Sequence, residues 1–322
     1  MNALPWLATA QQSIQAAVQA DRLPHALLIH EDAGAGGLEL ARWTSQLLLC
    51  RDRPRAPCGA CPDCQWVLAG QHPDCMSVQP EGKSRQILVD QIRTAVAELR
   101  LTGHSGRAKI AVFAPAEAIN ANAANALLKT LEEPTPSTLL ILITAQPSRL
   151  LATIRSRCLT LRVAAPARAE AIEWLTQSRG AGPWEAALDA LNTGPLSLTE
   201  VDPAAIAATR RQVIEQLGQL EQQAVEPPAL AEQWAKDELE LRLACTESWV
   251  TDQILTLAAA HADPTELRHR HYSPAGSWAL NIGRLLEFHG AVRELRALMH
   301  TSVNKSLAVE SLLWRWAQVR TR

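Results

Sequence analysis

Four cysteines within fifteen positions are the residues best suited to chemistry. Cys50, Cys58, Cys61 and Cys64 follow the spacing C-x7-C-x2-C-x2-C. Two C-x2-C steps sharing Cys61 bring three sulfurs to one ion, and the longer loop lets Cys50 return as the fourth. Four thiolates suit tetrahedral Zn²⁺ and leave no open position, so the expected role is structural, not catalytic. His72 and Cys75 are the nearest substitute ligands, but Cys75, beside Met76 and Val78, reads as a core residue. Arg51, Arg53 and Arg55 lie in the cysteine loop, too few cations to argue for nucleic-acid binding by themselves.

A second candidate is the turn Glu31-Asp32-Ala33-Gly34-Ala35-Gly36-Gly37, between an apolar run at 26–30 and a helix expected over 38–49. Strand, glycine-rich turn and helix form the setting of a phosphate-binding loop. A working G-x-x-x-x-G-K-[ST] loop also needs a lysine for the phosphates and a hydroxyl for Mg²⁺. Counting from Gly36, the lysine position holds Gly37, the hydroxyl position Leu38 and the first glycine position Glu31. Gly34, Gly36 and Gly37 therefore read as a tight connection, and no ATP binding is expected. Gly82-Lys83-Ser84 has the missing residue types but lacks the upstream glycine and the strand-to-helix junction.

The elements that would position these residues are legible from apolar spacing. Residues 109–113 and 138–144 are strand-length apolar runs flanking a helical pattern over 120–133. Ile119, Ala123, Leu127 and Leu131 recur every four residues and share one face; Pro134 and Pro136 end the helix. A short helix over 148–154 then leads to Ser156-Arg157-Cys158 and a third run at 159–163. Runs too apolar to alternate, separated by helices, predict a parallel sheet covered on both faces. Upstream, helices are expected over 7–20 and over 87–101, the latter with Leu88, Ile92, Val96 and Leu99 on one face; a strand is expected over 75–79.

Residues 125–134 (Asn-Ala-Leu-Leu-Lys-Thr-Leu-Glu-Glu-Pro) and Ser156-Arg157-Cys158, with the cysteine insert and Leu23-Pro24-His25-Ala26-Leu27-Leu28-Ile29, carry a resemblance. Over 20–165 the chain resembles the bacterial clamp-loader subunits of the AAA+ class that serve DNA polymerase III. The resemblance implies an α/β AAA+ (P-loop-like) domain with a parallel sheet, a small helical lid and an all-α collar. ATPase members of the family carry an Asp-Glu pair after the strand; here those positions are Ala114 and Pro115, which can neither ligate Mg²⁺ nor accept a proton. Glu117, three residues on, reads as a solvated first-turn glutamate. Thr144, at the sensor position, reads as a strand-end hydroxyl. The resemblance thus implies a subunit without its own catalytic site, accessory to a DNA-directed DNA polymerase holoenzyme. The competing reading is a divergent ATPase of the γ/τ type.

Arg157 is kept. The resemblance implies that it acts as an arginine finger on a neighbour's nucleotide, with Ser156 and Cys158 setting its backbone and packing. The partners implied are the γ/τ ATPase subunits and the δ subunit and, through them, the sliding clamp and primed DNA.

The expected domains are 1–165 with the zinc module at 50–64, a helical lid at 166–201 and a helical collar at 202–322. Ala171, Trp174, Leu175, Ala187, Leu188 and Leu191 are the expected lid core. Asp202 caps the first collar helix and Pro203 occupies its first turn; Glu226-Pro227-Pro228, Asp263-Pro264 and Ser273-Pro274 mark later breaks. Trp314 and Trp316 cannot share one helix face, which points one of them outward. A formal charge of -2 excludes a strongly basic nucleic-acid binder. No apolar stretch approaches the roughly 20 residues that span a bilayer. No basic-then-apolar leader opens the chain, and seven cysteines, an odd count, argue against a disulfide framework. A cytoplasmic setting is expected.

Overall fold

The apolar runs pair side by side, all parallel, in a computed structural model that describes residues 4–82, 85–104, 106–262, 282–299 and 303–318. Contacts divide the chain into two units, Met1–Ala171 with Thr193–Ser197, and Ile172–Asn192 with Leu198–Arg322.

In the first unit, α1 (Ala8–Gln19) precedes β1 (Ala26–Glu31) and α2 (Gly37–Leu49). The cysteine loop leads to α3 (Pro62–Leu68), β2 (Cys75–Val78), α4 (Val89–Leu99), β3 (Lys109–Phe113), α5 (Ala121–Glu132), β4 (Thr138–Thr144), α6 (Ala152–Arg155) and β5 (Leu159–Val163). The strand order is β2-β3-β4-β1-β5. Leu28 of β1 pairs with Leu142 of β4 on one side and with Thr160 of β5 on the other.

Side chains alternate across the pleat, so β1, β3 and β4 each feed two cores. Ala26, Leu28, Phe113 and Leu142 pack with Ile92 and Leu99 of α4 and Leu127 and Leu131 of α5. Leu27, Ile29 and Ile141 pack on the other face with Ile14 of α1 and Leu40 and Leu47 of α2. Burial of each of these Leu, Ile and Phe side chains contributes about 1.5–3 kcal/mol. Asn120 caps α5 by accepting the Ala123 N–H at 2.9 Å.

Three local expectations need correction. The helix expected over 148–154 is a 3-10 turn, Pro147–Arg149, then the single turn α6. Between them Leu150 is extended and buried, so core packing interrupts the helix. The helix expected over 87–101 begins two residues later. Ile87 pairs with Ile119 and is buried, which leaves Leu88 exposed at the N-cap. The outer strand β5 is largely exposed, with Val163 its buried residue. Lys83, Ser84 and the breaks at 263–264 and 273–274 lie outside the described residues.

The second unit is helical among its described residues. α7 (Arg168–Arg179) runs into it, followed by α8 (Trp184–Leu191), α9 (Pro203–Glu221), α10 (Pro227–Lys236), α11 (Leu239–Ala262), α12 (Ile282–Leu298) and α13 (Lys305–Gln318). Asp202 caps α9 through the Ala204 N–H. Trp316 is buried between Phe288 and Trp249 and donates to the Leu217 carbonyl, whereas Trp314 is 44% exposed.

Candidate functional site

The glycine turn after β1 is filled by the chain itself. Glu31 folds back so that its Oε2 accepts the Gly37 N–H at 2.6 Å, at the first residue of α2. A helix N-terminus presents free N–H groups and partial positive charge, the seat that a phosphate takes in a working loop. Here a carboxylate takes it. A Cβ on Gly37 would stand 2.8 Å from that carboxylate, so this fold-back requires glycine. Burial is the leading cause of a raised Glu31 pKa; Glu39 and Glu117 add repulsion, while the Gly37 and Gly36 N–H groups pull the other way.

Residues 193–197 close the turn from outside. The Gly194 N–H donates to the Ala33 carbonyl at 2.6 Å and the Leu196 N–H to the Gly34 carbonyl at 3.1 Å. Thr193 Oγ1 donates to the Ala33 carbonyl as well. Gly34, at φ +73°, lies against Ser197 and the Gly194 carbonyl so closely that any side chain there would collide.

The positions that would serve metal and water lie at the same sheet edge. Ala114 and Pro115 follow β3 and offer no ligand. Glu117, on the 3-10 turn Ala116–Ala118, departs from its expected solvated state: its Oε2 is shielded from water without a hydrogen-bond partner. Thr144 Oγ1 accepts the Gln146 N–H, a strand-end contact.

Arg157 lies at the other edge, just before β5, whose Leu159 is level with Leu27 near the start of β1. Its Nη1 donates to the Thr153 carbonyl at 3.0 Å and to Ser156 Oγ at 3.4 Å. Its Nη2 lies 2.6 Å from Glu132 Oε1, and the side chain is 35% exposed. Ser156 Oγ in turn donates to the Thr153 carbonyl. Cys158 packs against the core, and burial pushes its thiol up to about 11. The two neighbours thus fix the loop from which Arg157 projects.

The four cysteines converge. Cys50 ends α2, Cys61 caps α3, and the four Sγ atoms lie within 4.8 Å of one another. Cys58 and Cys64 are 4.0 Å apart, as are Cys61 and Cys50. Zn–S bonds of about 2.3 Å in a tetrahedron place sulfurs roughly 3.8 Å apart, so the set fits the ion with little adjustment. Backbone N–H groups point at sulfur from Cys58, Cys61 and Cys64, the polarity that thiolates require. Burial opposes ionisation of Cys61, but N–H groups of Arg51 and Cys64 prevail and lower its pKa to about 6. Burial dominates at Cys64, whose thiol is raised.

The chain has known relatives. The family described as DNA polymerase III, delta subunit matches residues 6–167. The DNA polymerase III subunit delta' of Pseudomonas aeruginosa is 36% identical over 315 residues, covering 92% of each chain. This chain belongs to the DNA polymerase III delta-prime family. Delta-prime subunits of Escherichia coli and Bacillus subtilis match over shorter spans. The first is 39% identical over 55% of this chain and 53% of its own, the second 42% over 45% and 43%. A gamma subunit-related protein of DNA polymerase III from Thermotoga maritima shares the fold at TM-score 0.50 and 19% identity, covering 97% of this chain and 99% of its own.

Sequence reasoning about this delta-prime family member missed the groups that hold the cysteine module. Asp63, 3% exposed, accepts from Arg51 Nε at 2.7 Å and Nη2 at 3.2 Å and from Arg107 Nη1 at 3.4 Å. Arg107 also donates to the Leu49 carbonyl, at the end of α2. His72, considered as a ligand, instead stands 3.5 Å from Asp63 with its Nδ1 accepting the Asp74 N–H. Arg55 pairs with Asp52, and Arg53 donates to the Leu47 and Leu48 carbonyls, so the loop's arginines serve the module itself. Neither Glu132, although it lies in the motif at 125–134, nor residues 193–197 carried a local sign of these contacts.

Proposed function

We propose that this chain is the non-hydrolysing member, or stator, of a clamp-loader ring that helps place a sliding clamp on primed DNA. It donates Arg157 to the nucleotide site of a neighbouring γ/τ-type ATPase subunit and offers a rigid surface to a δ-type subunit. Residues 1–165 act as the AAA+-like body, 166–201 as a lid and 202–322 as the assembling collar. Cys50, Cys58, Cys61 and Cys64 hold a structural Zn²⁺, which supplies cross-linking and no chemistry. The setting is cytoplasmic; among the described residues no helix is long and apolar enough to cross a membrane.

The observation that carries the reading is the Glu31 carboxylate on the N-terminus of α2. A nucleotide phosphate would have to displace an internal anion and the 193–197 segment, with no lysine to offset its charge. Arg157 cannot serve that turn. The five steps between the six residues of β1, at about 3.3 Å each, put the two sheet edges roughly 17 Å apart. A fixed guanidinium at an open edge can stabilise phosphate charge only in trans.

Two measurements test this. Purified chain with Mg-ATP is expected to show neither turnover nor micromolar binding; either one sinks the stator reading. In a reconstituted loader, Arg157→Ala is expected to reduce the ATPase rate stimulated by clamp and DNA, and an unchanged rate removes the trans role.

A further inference from the structure

Glu132 occupies the last position of α5, where unpaired carbonyls carry partial negative charge. A carboxylate there works against the helix, and Glu133 beside it adds to the effect. Its compensation is the contact with Arg157 Nη2 at 2.6 Å. The guanidinium is therefore held from two sides, by the Thr153 carbonyl through Nη1 and by Glu132 through Nη2. The first acceptor is backbone and fixed. The second is a side chain that is itself 51% exposed.

We propose that Glu132 is the resting seat of Arg157, a positioning residue whose carboxylate is replaced by a phosphate of the neighbouring subunit's nucleotide when the interface closes. The proposal rests on the trans role of Arg157 given above. The fork that meets a carboxylate meets a phosphate in the same geometry, and the phosphate carries more charge. An exposed, salt-screened pair is weak enough to yield without a large barrier. No covalent bond changes; one anion succeeds another on Nη2. The seat competes with the neighbour's phosphate while the interface is loose and has little effect once it is tight. It therefore lowers unstimulated turnover selectively.

The test is ATPase activity of the reconstituted complex, with and without clamp and primed DNA, for E132Q, E132D, R157A and the E132Q/R157A pair. E132Q is expected to raise the unstimulated rate about two- to fivefold, the range an exposed ion pair can exert. The stimulated rate stays near that of the parent, so the ratio of the two narrows. E132D keeps the charge and restores the ratio, and E132Q has no further effect once Arg157 is gone. A merely structural glutamate would lower both rates together. E132Q with the parent ratio, with both rates reduced, or with the same effect in the R157A background overturns the seat and leaves the trans finger standing. R157A with unchanged rates removes the finger and the seat together. E132A is read by the same criteria, so a folding defect in one variant leaves the other decisive.

Discussion

The two edges of one sheet have opposite fates. At the carboxyl edge, where open α/β sheets bind their ligands, the turn after β1 is occupied by Glu31 and covered by residues 193–197. At the amino edge, Arg157 stands partly exposed on a loop braced by Ser156 and Cys158, and the cysteine module is clasped by residues that precede β2 and β3, His72 and Arg107. The turn that would serve a nucleotide of the chain's own is filled and covered, whereas Arg157 is partly exposed at the opposite edge. A degenerate site thus need not be a decayed one: the groups that close it are as well placed as those that would have opened it.

The largest effect expected of that contrast is at Arg157. Loss of a finger elsewhere costs roughly 10³–10⁵ in rate at the site served, so Arg157→Ala should silence that site, and Arg157→Lys should not restore it, since a point charge cannot replace the fork. Restoration by lysine, read in single-turnover hydrolysis, would reduce Arg157 to a field effect. Next is Asp63→Asn, which keeps the shape of the clasp but removes its charge. Loss of such outer partners typically weakens metal binding 10–100-fold. Zinc release to a chromogenic chelator should speed accordingly, and an unchanged rate would detach the module from its clasp.

Gly194→Ala is aimed at the closed edge. Its methyl would press on the Gly34 carbonyl, backbone that cannot yield cheaply, and overpacking of this kind costs about 1–3 kcal/mol. A denaturant midpoint equal to that of the parent would mean that 193–197 lies on the turn without constraint. Glu31→Gln should have the smallest effect and the opposite sign. Burial raises the Glu31 pKa above its ordinary 4.5, so the charged form is the one folding disfavours. The stability Glu31 contributes is then full below pH 4.5 and falls as pH rises through the folded value. Glu31→Gln should therefore be the more stable protein at pH 7 and lose that advantage in acid. A stability difference that grows on acidification would reverse the assignment.

The central strands were readable because both of their faces are covered, which leaves an unbroken apolar run, and α5 because its one buried face recurs every three or four residues. The cysteines were readable because metal geometry restricts spacing. What escaped was non-local. Glu117 looked solvated because a sequence does not show which atoms of the turn after β3 end up shielded from water. Residues 193–197 reach Ala33 and Gly34 from about 160 positions away and carry no periodicity of their own. The seat at Glu132 joins two ends, of α5 and of the loop before β5, that are neighbours only once the sheet has formed.

Helix α2 is held at both ends, by Glu31 at Gly37 and by the cysteine cluster at Cys50. In a working phosphate-binding loop, the equivalent helix begins on the phosphates. Here its first amide is bonded to the chain itself, so its hydrogen exchange should be slow and indifferent to ATP. On the stator role proposed above, timing would fall to the other subunits of the ring, with this helix as their fixed reference.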